Sequence, residues 1–221
     1  MTGKPLIKRI LAFGCSFTYG IGLEDCNDRP DKTDKTLRPS KLAWPALLHN
    51  LTGIPVVNRA IPAASNLEIL WYLLDTKFEP GDVAIIMWSL PNRDVYFTKG
   101  PQVGYAGLMK PFQQLGMWAT GDTARRWIVE MDEYDYQQRT WLYMHHAQLY
   151  LQSKQIPWMH FPAYPVETCV NKPDFLDITN LHMQGMAPVD KALDGEHPGP
   201  ESQQLTSGCI RDILRFSGLI N

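Results

Sequence analysis

The run Val83–Trp88, VAIIMW, is apolar without a break and is bounded by Gly81 and Pro91. A strand with one wet face alternates apolar and polar residues, so this one has to be covered on both sides, as a central strand of a parallel sheet is. Parallel neighbours cannot be joined by tight turns; they need crossovers that pack on the faces of the sheet, normally helices. This one segment therefore asks for further short apolar strands with helices between them.

The chain supplies both. LIKRILAFG (6–14), IPVVNRA (54–60) and IPWMHFPAY (156–164) read as further strands around GDVAIIMWSL (81–90). Between them, KLAWPALLHNLTG reads as a helix with Ser40 as its cap, Pro45 in its first turn and Gly53 closing it. SNLEILWYLLDTKF begins on Ser65 with Glu68 three residues on, the spacing of a capping box. Apolar residues recur at helical intervals over 133–154, and SQQLTSGCIRDILRFSG forms a terminal helix. Residues 24–39 and 165–193 are loop-like, and 97–124, rich in glycine and weak in periodicity, reads as a long loop. The expected architecture is α/β, a three-layer α/β/α domain over 1–221 with a short parallel sheet of about five strands, and an insertion or lid at about 97–130.

At 221 residues the chain can bury a core without staples. A net charge of −2 with interspersed signs argues against a nucleic-acid or anionic-membrane surface. No stretch is long and apolar enough to span a bilayer. MTGKPLIKRI leads straight into the first strand, so no cleaved leader is expected and a cytoplasmic protein is. Cys15, Cys26, Cys169 and Cys209 lack metal-site spacing; a Cys26–Cys169 bridge is conceivable, with reduced buried thiols the expectation. His145 and His146, adjacent on a helix, do not face one ligand together.

In parallel α/β sheets the ligand site forms at the carboxyl ends of the strands. There the first strand stops on Gly14-Cys15-Ser16, presenting a hydroxyl where an apolar element ends. Near the other end of the chain, DGEHPGP places Asp194 three residues before His197, a spacing that lets a carboxylate orient an imidazole. Serine, aspartate and histidine together make a nucleophile, an orienter and a base. Cys15 as the nucleophile is disfavoured, because it would point the other way, into the core.

These segments resemble the SGNH (GDSL-like) hydrolases. FGCSFTYG is similar to their first block, with Ser16 at the nucleophile; AWPALL to their first-helix segment; VVNRAIPAASN to the second block; and DGEHP to the final D-x-x-H-P block, with Asp194 and His197 as the other triad members. Cys15 stands where the family usually has Asp, and Ala63 occupies the second-block glycine, keeping the N–H but adding a Cβ on the substrate side. In place of G-x-N-D the chain has WSLPNRD, leaving Asn92 or Ser89 as side-chain oxyanion donor and Arg93 as a holder of a substrate anion.

The resemblance implies a flavodoxin-like, three-layer serine esterase that needs no metal or organic cofactor. Its substrate would be a small-molecule or carbohydrate ester, with O-acetylated sugars suggested by the family's range and by aromatics at 105, 112, 118 and 127. The altered second and third blocks support an alternative, a binding or structural protein that keeps the scaffold with a weakened catalytic set.

Overall fold

The computed structural model describes residues 7–26, 38–103, 109–115, 132–163 and 188–220. Four parallel strands, β1 (Arg9–Phe13), β2 (Val56–Asn58), β3 (Asp82–Trp88) and β6 (Trp158–Pro162), form a sheet in the order β2-β1-β3-β6. The register sets Phe13 beside Ile86 and Trp88 beside Pro162. Every residue of β3 and β6 is buried, as the unbroken apolar run requires.

Helix α2 (Trp44–Thr52) packs on α5 (Pro200–Phe216), and α3 (Asn66–Leu74) on α4 (Glu133–Ser153). The two pairs cover opposite faces and complete three layers. Alternation along β6 directs side chains to each: Phe161 meets Trp44 of α2 edge-on at 6.1 Å, while its neighbours in sequence face the other way. Fully burying side chains of this size contributes about 1.5–3 kcal/mol each, so Trp44, Trp88, Phe13 and Phe161, all within 2 % of complete burial, carry much of the fold.

Helix α3 starts as its sequence asks. Ser65 Oγ accepts from the Glu68 amide, and the Glu68 carboxylate accepts from the Ser65 amide at 2.8 Å. Helix α2 does not. Its N-cap is Ala43, which has no side chain to offer; instead Gln203, on α5, accepts from the Trp44 amide at 2.9 Å. Ser40 is used otherwise: its hydroxyl donates to Asp25 and accepts from the Leu42 amide. Gly53 closes α2 in the left-handed conformation, as expected.

The reading of 97–124 as a loop is corrected over 97–103 and 109–115, the rest of it and of the proposed lid to 130 lying outside the described residues. Antiparallel strands β4 (Asp94–Val103) and β5 (Met109–Leu115) form a separate hairpin, with a register shift between Phe97 and Gln102. The shift, with Gly100, Pro101 and Pro111, breaks the alternation by which a strand announces itself. The Phe97 ring packs tilted against Trp71 of α3, centroids 5.5 Å apart. Residues 105, 118 and 127 lie outside the described residues, as does Cys169. Cys15 and Cys26 are buried free thiols and Cys209 an exposed one. No helix among the described residues is long and apolar enough to cross a membrane.

Candidate active site

Ser16 is the first residue of a single-turn helix, α1 (Ser16–Tyr19), that follows β1 directly. Gly14 makes the turn possible: a Cβ there would collide with the Thr18 side chain and come within 3.1 Å of the Met87 carbonyl on β3. Cys15, the N-cap, packs into the main core, where the sequence places its thiol. Ser16 is 5 % exposed, and its carbonyl accepts from the Gly20 amide at 2.8 Å.

Asp194 and His197 lie on the loop that precedes α5. The Asp194 carboxylate accepts from His197 Nδ1 at 2.6 Å through Oδ2 and from the Glu196 and His197 amides at 3.0 Å through Oδ1. Burial disfavours the charged carboxylate, but these amide and imidazole donors outweigh it and hold the carboxyl below its usual range. An ionised Asp194 at Nδ1 fixes the proton there and leaves Nε2 as the acceptor.

The loop that carries the pair is braced at both ends. Lys191 bridges to Pro198, and the Ala192 amide donates to the His197 carbonyl at 2.8 Å. Burial disfavours the Asp190 charge, but the Ser202 hydroxyl at 2.6 Å and the Ser202 and Glu201 amides at the start of α5 donate to its carboxylate and hold it low. On the other side the Leu193 amide donates to Gly22, whose φ of +85° and missing side chain let Asp194 lie against it; a Cβ would sit 2.6 Å from Oδ2.

Three contacts hold the Ser16 turn against its neighbours: one from this loop, one from α5 and one from β2. The Phe17 ring meets the His197 ring edge-on at 5.6 Å. Gln203 Nε2 donates to the Phe17 carbonyl at 3.2 Å while its oxygen holds α2, so one buried amide ties α1, α2 and α5 together. Asn58, at the end of β2, donates to the Thr18 carbonyl at 2.7 Å and accepts from the Ala60 amide.

The remaining candidates follow β2 and β3. Ala63 lies in the turn after β2, with φ at +61°, and the Ile61 amide of that turn donates to the Gly14 carbonyl at 3.0 Å. Ser89 directly follows β3 and is wholly buried; Asn66 accepts from its amide at 2.7 Å and donates to its carbonyl at 3.1 Å, and Thr140 on α4 accepts a further bond from Asn66. Arg93 Nη1 donates to Ser89 Oγ at 3.2 Å, so the guanidinium is engaged with the strand end. Asn92 is exposed at the third position of the turn Leu90–Arg93, closed by the Arg93 amide on the Leu90 carbonyl.

Gly22, Asp190, Asn66 and Gln203 escaped the sequence reading as parts of the site. Only Gly22, within the glycine-rich YGIG segment, left a visible signal. A cavity of about 540 Å³ opens at the opposite, amino end of the sheet, beside Ile7, Phe78, Gly81, Tyr150 and Ile156. It borders none of the residues above, and the convergent polar chemistry lies at the carboxyl end.

No family model matches the sequence, and no curated protein does. Solved structures do. An acetyl xylan esterase from the rumen bacterium Butyrivibrio proteoclasticus matches over 96 % of this chain and 64 % of its own, at 9 % identity and a TM-score of 0.57. A carbohydrate esterase family 2 enzyme with a carbohydrate binding domain, from Myceliophthora fergusii, matches over 99 % of this chain and 69 % of its own, at 14 % identity and a TM-score of 0.55. A GDSL-like lipase from Bacteroides thetaiotaomicron matches over 97 % and 92 %, at 10 % identity and a TM-score of 0.50. The likeness is one of fold: the chain has the three-layer fold of the SGNH/GDSL hydrolases.

Proposed function

We propose that the protein is a serine esterase acting on a small acyl ester, with Ser16 as nucleophile, His197 as base and Asp194 as orienter. The observation that carries the reading is the Asp194–His197 pair, bonded at 2.6 Å and packed through Phe17 against the turn that holds Ser16. With the ring proton on Nδ1, Nε2 takes the Ser16 proton as the oxygen attacks the acyl carbon. The positive ring faces a carboxylate that stays ionised, so the charge formed in the transition state is met without reorganisation. His197 then protonates the leaving alcohol and, in deacylation, deprotonates a water that attacks the acyl-enzyme.

The oxyanion would be held by the Ser16 and Ala63 backbone N–H groups, with Asn92, Ser89 or Arg93 as the third-block donor. Losing one donor from such a set costs roughly 3–4 kcal/mol, which makes a modest turnover compatible with the altered blocks. An O-acetylated carbohydrate is the substrate class we favour, in keeping with the two carbohydrate esterases that share the fold. The hairpin β4–β5, which follows the third-block turn, is proposed as the segment that sets the alcohol side.

The exposure of Asn92 on a surface turn favours a second reading, a binding protein on the same scaffold. Fluorophosphonate labelling of wild type, Ser16→Ala and His197→Ala, with p-nitrophenyl acetate turnover, separates the two. Labelling at Ser16 that is lost in Ser16→Ala and strongly slowed in His197→Ala is the expected result; a folded wild type that neither labels nor turns over would leave the binding protein.

A further inference from the structure

The turn Ile61-Pro62-Ala63-Ala64 is closed by the Ala64 amide on the Ile61 carbonyl at 3.1 Å. Proline stands at its second position and a left-handed residue at its third, the type II pattern whose third position ordinarily takes glycine. Ala63 and Gln155 are the non-glycine residues with positive φ among those described. Gln155 ends a helix on the surface, a common place for that conformation. Ala63 does not, and strain of this kind persists where the surroundings impose it or function retains it.

Its surroundings show what the extra methyl meets. From Ala60 to Asn66 every residue is buried except Ala63, which is half-buried. The loop is tied to the Ser16 turn on both sides of that turn. Ile61 is bonded to Gly14, two residues before Ser16, and Asn58 is bonded to Thr18, two residues after it.

We propose that the Ala63 methyl is the acyl-length gate of the site: it fills the space beside Ser16 into which an acyl chain longer than acetyl would run, and confines the enzyme to acetyl and formyl esters. This rests on the serine-esterase reading of Ser16. A glycine at this position would relieve the backbone and open the space together, so strain and selectivity have a single cause.

The test compares wild type with Ala63→Gly on p-nitrophenyl acetate and p-nitrophenyl butyrate, with fluorophosphonate labelling at Ser16 and thermal unfolding of both proteins. A pocket methyl is worth about 10-fold or more between substrates that differ by methylenes, so the butyrate-to-acetate ratio of kcat/KM should rise about 10-fold in Ala63→Gly. The melting temperature should rise with it. Ser16 labelling in both proteins with an unchanged ratio overturns the gate and leaves the esterase standing. Absence of labelling in wild type overturns the esterase, and the gate with it.

Discussion

Asp194 holds His197 by two separate contacts, Oδ2 on the ring Nδ1 at 2.6 Å and Oδ1 on the backbone amide at 3.0 Å. One orients the imidazole; the other ties down the chain segment that carries it. Asp194→Asn keeps an oxygen for the amide but loses the charge that fixes the ring tautomer. Turnover of p-nitrophenyl acetate is expected to fall by up to about 10⁴-fold in kcat, with a far-ultraviolet circular dichroism spectrum indistinguishable from wild type. A loss of less than about 10-fold would remove Asp194 from the triad.

Two aspartates should respond to pH in opposite senses. The Asp194 carboxyl is held low, so the unfolded chain binds its proton more readily than the folded one; its stabilisation is full above the ordinary carboxylate range and is lost as pH falls through the folded value. Asp94 is pushed up by burial and by nearby Asp135 and Glu68, against the pull of the Val95 amide and Arg139. Its contribution is greatest at low pH and fades as pH rises through the folded value. Asp94→Asn, whose oxygen can still accept from Val95, should therefore gain stability relative to wild type between pH 4 and pH 7. Urea midpoints measured across that range give the sign, and a gain that shrinks toward pH 7 would refute it.

Gly22 faces Asp194 from the far side of the site. Gly22→Ala puts a Cβ 2.6 Å from Oδ2 on a residue with φ at +85°, combining strain with displacement of the orienter. We expect a loss of roughly 2–4 kcal/mol in denaturant unfolding and a fall in kcat at temperatures where the variant is still folded. Gly53→Ala is the control, since it shares the left-handed backbone but would meet nothing within 4 Å. Equal losses in both would assign the effect to backbone strain alone.

The layers of the sheet were legible because β1, β3 and β6 are buried on both faces and leave no alternation to misread. The capping box of Ser65 and Glu68 was legible because both partners lie within one turn. Gln203 was not, for the opposite reason: its partners Trp44 and Phe17 lie far away in sequence, and a glutamine on a helix looks the same whether it faces water or three other elements. Asn66 and Asp190 were hidden in the same way, the first clamping Ser89 and the second Ser202. Asp194 and His197 stood out because their contact is local, and Ser16 because an apolar strand ends on it. What sequence spacing reveals is chemistry confined to a turn; what it conceals is the buried polar bracing between elements.

That bracing can be measured at Gln203, which is 1 % exposed. Gln203→Leu keeps the bulk of the side chain but leaves the Trp44 amide and the Phe17 carbonyl without this partner. An orphaned buried backbone group costs about 1–3 kcal/mol, so a total loss of about 2–6 kcal/mol is expected in denaturant unfolding. Gln203→Glu separates the two ends, because a carboxylate still accepts from Trp44 but cannot donate to Phe17 while ionised. If the Phe17 contact sets Ser16 against His197, Gln203→Glu should lower kcat for p-nitrophenyl acetate more than it raises KM, and part of the loss should be recovered as pH falls and the carboxyl regains its proton. A kcat equal to wild type in a stable Gln203→Glu protein would show that the contact braces the helices without positioning the nucleophile.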